Sequence, residues 1–226
     1  MKNNKVSHYK TWVEVDGRAL RQNLSAVQKL AGKNVSVLCV VKSNAYGHGL
    51  VETATSVLAL RSFREGGWFG VDSIDEALLL KKAGIKYPIL ILGFIPKPRL
   101  AEAIKNGFRF ALYDLDVLKE SVRIAKKIRK RALVHIKVES GTYRQGIMRE
   151  DVSRFADVFR AHKSILIADG IYTHFADTEN NSSQYYKEQL QSFTAIVSLF
   201  EELGVSPQYR HAAASAAVLM YPETHC

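Results

Sequence analysis

Lys42 follows a Val-rich run, Val35-Ser36-Val37-Leu38-Cys39-Val40-Val41, and precedes a polar, glycine-spaced turn, Ser43-Asn44-Ala45-Tyr46-Gly47-His48-Gly49. A short β-branched run bounded by turn residues reads as a strand buried on both faces. A lysine where such a strand stops can project from the sheet's carboxyl edge, stem packed and amine in a cleft. Burial disfavours the charged form and lowers an amine's pKa, which suits a nucleophile toward an aldehyde or a carrier of protons. The two glycines permit close backbone approach to a ligand. Lys137, His174 and His211 also fall at or just past the expected ends of strands. Taken singly, each has a plain reading too: a lysine snorkelling off a strand end, a histidine satisfied in the core or at its rim.

Positioning these residues requires a regular scaffold, and the pattern supplies one. Residues 11–16 alternate apolar and polar as a half-exposed strand would. Leu20, Leu24, Val27 and Ala31 then form a helical stripe closed by Gly32, and the Lys42 strand and a helix around 50–60 follow. Strands are expected at 68–71, 88–92, 108–112, 132–138, 165–172 and, weakly, 208–211. Between them lie a helix opened by a Ser73–Glu76 capping box, one over about 98–105, one capped by Asp114, one marked by Val152, Phe155, Ala156 and Phe159, and a long one ending at Gly204. A further helix begins near Ser215. Seven strand-then-helix units imply a parallel sheet, either open or closed as a (β/α)₈ barrel. Chemistry-bearing residues grouped at strand ends favour the barrel, which gathers those ends around one mouth.

Composition is that of an ordinary globular protein, 47% hydrophobic and 24% charged. No apolar run approaches the roughly 20 residues that span a bilayer, and the first ten residues carry charges with no apolar segment behind them, so no secretory signal is read. Cys39, in an expected buried strand, and Cys226 make no disulfide framework, which suggests a reduced, cytoplasmic setting. Much of the net charge of +10 comes from Lys119 to Arg131. Leu115, Leu118, Val122 and Ala125 recur there at helical spacing, so the charges are read as a solvated helix face rather than a nucleic-acid surface. No dinucleotide fingerprint, phosphate loop or His-Glu-x-x-His is present. Asp177 and Glu179 near His174 lack further ligands at regular spacing, so no metal is expected.

Val40-Val41-Lys42-Ser43-Asn44-Ala45-Tyr46-Gly47-His48-Gly49 resembles the signature of the alanine racemase family, in which the lysine holds pyridoxal 5'-phosphate. The resemblance implies that Tyr46 helps hold the cofactor phosphate. His135-Ile136-Lys137-Val138-Glu139-Ser140-Gly141-Thr142-Tyr143-Arg144 resembles the family segment in which an arginine follows a strand lysine by seven residues. That implies Arg144 beside the cofactor's phenolic oxygen and the substrate carboxylate, and Lys137 as the lysine that many members carbamylate to brace the arginine. Glu139, Ser140, Thr142 and Tyr143 depart from the usual Asp, Thr, Met and a smaller residue. Thr173-His174-Phe175-Ala176 matches a strand end whose histidine stacks near the pyridine ring. His211-Ala212-Ala213-Ala214-Ser215-Ala216 resembles a segment whose serine binds phosphate, with Ala214 replacing an asparagine. Without the resemblance, Arg144 reads as half of a surface ion pair and Ser215 as an N-cap.

The expectation is therefore a racemase interconverting L- and D-alanine, serving peptidoglycan synthesis, homodimeric when whole, with neither nucleic acid nor membrane as partner. Residues 1–17 would form an amino-terminal strand segment and 18–226 an incomplete barrel of about seven units. An eighth strand and a β-rich carboxyl-terminal domain, whose tyrosine is the second base on the partner's cofactor, are expected to be missing, leaving a fragment of negligible activity. The alternatives are a non-catalytic, single-domain pyridoxal phosphate carrier, which the Asn44-to-Gly49 turn argues against, and a basic nucleic-acid-binding protein.

Overall fold

In the computed structural model, which describes residues 10–180 and 182–225, seven parallel strands form one sheet in sequential order and curl into an incomplete barrel. The strands are β1 (Leu38–Val40), β2 (Trp68–Val71), β3 (Ile89–Ile91), β4 (Arg109–Leu112), β5 (Ala132–Lys137), β6 (Leu166–Tyr172) and β7 (Tyr209–His211). Helices fill the crossovers: α1 (Gly17–Ala31), α2 (Lys42–Tyr46), α3 (Leu50–Val57), α4 (Arg61–Arg64), α5 (Ile74–Lys82), α6 (Leu100–Asn106), α7 (Leu115–Ile128), α8 (Val152–Ala161), α9 (Tyr185–Glu202) and α10 (Ser215–Met220). Phe69, Leu90, Ile91, Phe110, Leu112 and Ile136 on the strands and Leu80, Leu100, Leu118 and Phe200 on the helices are wholly buried. Burial on both sheet faces explains why these strands read as unbroken apolar runs.

Side-chain caps start three of the helices, at Ser73 and Asp114 as the sequence marks them and also at Asp16. Asp16 accepts from Arg18 N and Ala19 N at 2.8 and 3.2 Å, Asp114 from Val117 N at 2.8 Å, and Ser73 forms the capping box with Glu76. On α7, Leu118, Val122 and Ala125 are buried while Lys119, Arg123, Lys126 and Lys127 face solvent, as the solvated-face reading requires.

Four expectations need correction. Residues 11–16 form no strand; they run into α1 with Trp12, Val13 and Val15 exposed to solvent and no ladder made to the open edges of the sheet. β1 is half-buried rather than buried, and with it Cys39, because β1 pairs only with β2 and its other edge is open. Burial still raises the Cys39 thiol to about 11, keeping it unreactive. α10 is capped by Ala214, and Ser215 is its first residue. His211 ends β7, yet its ring turns into the barrel, 2.9 Å from His135 Nδ1 and stacked on Tyr172 at 4.6 Å. Burial, then its neighbour His135, holds His211 well below the ordinary histidine range. Gly170 makes room for this pair, since a Cβ there would lie 2.6 Å from the His135 ring. Cys226 and residues 1–9 lie outside the described residues.

β1 and β7 do not pair, and a cleft of about 320 Å³ lies by this open seam, lined by Leu38, Trp68, His135, Tyr209 and His211 among others. No described helix is long and apolar enough to cross a membrane.

Packing of α7 on the sheet should dominate local stability. Leu118→Ala should lower the free energy of unfolding by about 2–5 kcal/mol, and Lys126→Ala on the solvated face by less than about 0.5 kcal/mol, both measured by urea denaturation.

Candidate active site

Past the end of β1 the ladder continues for one residue, Val41 N donating to Gly70 O at 2.7 Å, so Lys42 is the first residue beyond the sheet. It is half-buried at the carboxyl end of the strands. From there α2 winds left-handed, with φ of 54, 55, 51 and 54° at Ser43, Asn44, Ala45 and Tyr46. This conformation costs an L-residue roughly 1–2 kcal/mol and persists only where surroundings enforce it. Here Ala45 N donates to Val41 O at 2.8 Å, Gly49 N to Asn44 O at 3.0 Å and Leu50 N to Asn44 Oδ1 at 2.9 Å. From β2's side, Glu76 Oε1 accepts from Ser43 N at 2.6 Å and from Asn44 N at 3.4 Å. Its Oε2 accepts from Asp72 N at 2.8 Å and Ser73 N at 3.3 Å. Tyr46 stands 62% exposed at the end of the turn.

Lys137 ends β5 and is buried. Its Nζ donates to Gln145 Oε1 at 2.9 Å, and Gln145 Nε2 donates to Tyr113 Oη at 3.1 Å. The same ammonium lies 5.8 and 5.9 Å from the Tyr172 and Tyr113 ring centroids. Burial first, then the charges of Arg144 and Lys42, bring its pKa down to about 8 against the opposing pull of Glu139.

Glu139 shapes the loop that carries Arg144. Its carboxylate accepts from Gly141 N and Thr142 N, both at 2.6 Å, and from Arg144 N at 3.2 Å. Burial acts to raise this carboxyl, but the amide donations prevail and hold it below its ordinary value. Gly146 lets the loop turn back against β5, where a Cβ would lie 2.4 Å from Glu139 N. The substituted positions have partners: Ser140 and Thr173 hydroxyls are 2.7 Å apart, and the Thr142 hydroxyl donates to the His174 carbonyl. Two residues of α9 pin the loops beyond β5 and β6. Tyr185 Oη donates to Gly141 O and Ala176 N to Gln189 Oε1, each at 2.9 Å.

His174 sits at the rim past β6. Partial burial, then the charges of Arg144, Lys137 and Lys42, hold it below the usual imidazole range, with Glu179 opposing. Lys42, Lys137, Arg144 and His174 are thus within electrostatic reach of one another. Ser215 is exposed, and no hydrogen bond to its hydroxyl occurs among the described residues. No cluster of described His, Cys, Asp or Glu residues could hold a metal ion.

Among the described residues, none of the three cations Lys42, Lys137 and Arg144 is in an ion pair, and the Lys42 amine has no hydrogen-bond partner. The carboxylates beside the site, Glu76 and Glu139, are engaged by backbone N–H groups. Tyr172 Oη is buried and has no hydrogen-bond partner among the described residues. Chemically, such a group of cations can attract a small anion, and a lysine amine in its neutral form can act as a nucleophile. Glu76 was visible in the sequence as a capping acid alone; Gln145, Tyr113, Tyr185 and Gln189 carried no signal.

Residues 15–226 match the profile of the family described as alanine racemase, N-terminal domain. The chain belongs to that family. It is 35% identical over 221 residues to the alanine racemase of Methanococcus maripaludis, covering 97% of this chain and 58% of that protein. With the alanine racemase of Listeria monocytogenes it shares 36% identity over 219 residues, 96% of this chain and 56% of the relative. Among solved structures, the alanine racemase of Clostridium difficile in complex with cycloserine superposes with a TM-score of 0.88 at 28% identity, covering 97% of this chain and 59% of that one. The Bacillus anthracis alanine racemase with bound L-Ala-P gives 0.86 at 32% identity, covering 95% and 54%. The chain spans somewhat under three-fifths of the length of these alanine racemases.

The alanine racemase-like mouth should titrate unusually. Lys137 should lose its proton with a midpoint near 8, readable by NMR of reductively ¹³C-methylated lysines; a midpoint near that of an ordinary lysine would contradict the burial argument. Between that midpoint and 10.5 the unfolded lysine still holds its proton and the folded one has released it. Stability should therefore rise with pH across that window, Lys137's penalty being fully present below it.

Proposed function

We propose that the chain is the cofactor-binding part of a pyridoxal-phosphate-dependent alanine racemase, interconverting L- and D-alanine in the cytoplasm and supplying the D-isomer for peptidoglycan. What carries the reading is the unneutralised positive charge at the strand ends beside an unpartnered lysine amine. Pyridoxal phosphate is an anion with an aldehyde and a phenolic oxygen, and the residues present fit each feature. Lys42 Nζ would bond the aldehyde carbon. Tyr46 and Ser215 would hold the phosphate, both being exposed. His174 would lie against the ring, and Arg144 would meet the phenolic oxygen and the substrate carboxylate with its planar fork.

When bound, the cofactor supplies an electron sink that acidifies the amino acid's Cα–H. Lys42 Nζ would take that proton, or return it, on one face of the substrate Cα. Holding Lys42 and Arg144 on loops tied to the sheet fixes the Cα–H relative to the amine, where orientation contributes much of the rate. Lys137 suits carbamylation: at a pKa of about 8 a usable share of its amine is neutral at pH 7, and a carbamate would give Arg144 the anion it lacks. Proton delivery to the opposite face requires a second base, which the family resemblance assigns to a partner subunit of a homodimer. Alanine as the substrate is supported by the relatives' shared name and by the L-Ala-P in the Bacillus anthracis structure.

Borohydride added to the chain with pyridoxal phosphate should fix a pyridoxyl group on Lys42, located by peptide mass, and Lys42→Arg should abolish the label; labelling spread over surface lysines would contradict the assignment. Residues 1–226 alone should show negligible racemase turnover for want of the second base, and a rate comparable with a whole alanine racemase would refute that part of the proposal.

A further inference from the structure

We propose that Glu76 is a positioning residue for Lys42, its carboxylate tying the left-handed turn that follows the lysine to the end of the neighbouring strand. The inference rests on the reading of Lys42 as the cofactor's anchor. Glu76 belongs to another element, α5, 34 residues along the chain, yet one of its oxygens takes Ser43 N and Asn44 N and the other takes Asp72 N and Ser73 N. The first pair are the two residues directly after Lys42; the second pair directly follow β2, among the described residues the only strand to which β1 is paired. The carboxylate therefore fixes where the backbone at Lys42 points relative to the sheet.

The turn needs such a tie. Four consecutive L-residues in the left-handed region would relax toward right-handed geometry unless held, and that change begins at the peptide joining Lys42 to Ser43. Ser43 N has no other acceptor among the described residues. A charged acceptor is stronger than a neutral one, and a single side chain serving two strand ends couples the lysine to the sheet. Glu76 touches neither substrate nor cofactor in this account; it acts through Lys42.

Capping and positioning can be separated, because glutamine serves in a capping box as well as glutamate does. Glu76→Gln retains an acceptor for the α5 cap but loses the anionic double acceptor, and its amide group would face the Ser43 or Ser73 side with donors. In this variant the Ser43 and Asn44 amides should exchange with solvent deuterium about tenfold faster or more. Incorporation of pyridoxal phosphate at Lys42, trapped with borohydride, should slow by a similar factor, with the melting temperature little changed. Asp16→Ala, which removes the α1 cap, serves as a control for stability loss alone and should leave the Lys42 labelling rate as it is. Unchanged exchange at Ser43 and Asn44, or an unchanged labelling rate despite faster exchange, overturns the proposal. If the variant does not fold, the unaltered chain decides: a Ser43 amide exchanging as fast as an unstructured one overturns it, and a protected one supports it. Absence of any Lys42 label in the unaltered chain would instead sink the cofactor reading, while amide exchange still judges the Glu76 tie.

Discussion

Parallel strands joined by helical crossovers bring distant side chains together only where the strands stop, and this chain places its reactive groups accordingly. β1 delivers Lys42, β5 delivers Lys137 and the loop of Arg144, and β6 delivers His174. Side-chain geometry here is inherited from the ladder: Val41 N on Gly70 O sets the exit from β1, and the Lys137–Tyr172 pairing sets β5 against β6. Since the ladder is itself held by apolar packing on both faces, the core fixes the chemistry at one end.

Charge at that end is uneven for a reason visible in the hydrogen bonds. Two carboxylates stand beside the cation-bearing segments, and both accept from backbone N–H groups rather than forming ion pairs. Glu76 receives amides from two strand ends, and Glu139 receives those of the Arg144 loop. An acid that satisfies backbone donors shapes a loop and leaves neighbouring cations without a partner. Burial first, and then the neighbouring cations, lower the pKa of Lys137 and of His174. The organisation of the loops and the absence of ion pairs at the mouth thus have one physical origin.

Much of this could be read from residue order. Buried strands such as 89–91 and 109–112 announced themselves as short apolar runs, and Asp114, Ser73 and Gly32 marked helix ends by local chemistry that survives in the fold. The lysine turn was legible through its glycines and polar residues. Contacts made across the fold were not. Glu76 looked like a capping acid because its second task depends on β1 and β2 being neighbours. Gln145 gave no sign of taking the Lys137 amine, and His211 was grouped with the mouth because strand position alone does not reveal that its ring packs on His135 and Tyr172. Residues 11–16 carried a strand's alternation, but a pattern alone does not bring a segment onto the sheet.

Two places compete for a ligand: the charged mouth, and the cleft of about 320 Å³ beside the unpaired edges of β1 and β7. The cleft is lined mainly by aromatic, histidine and small polar side chains and lacks an amine placed to react. A ligand bonded to Lys42 would therefore sit in the mouth. A crystal structure of the chain grown with pyridoxal phosphate tests this most directly: density should run from Lys42 Nζ across the ends of β1, β5 and β6, within reach of Arg144 and His174. Density confined to the β1–β7 cleft, with Lys42 left bare, would contradict it.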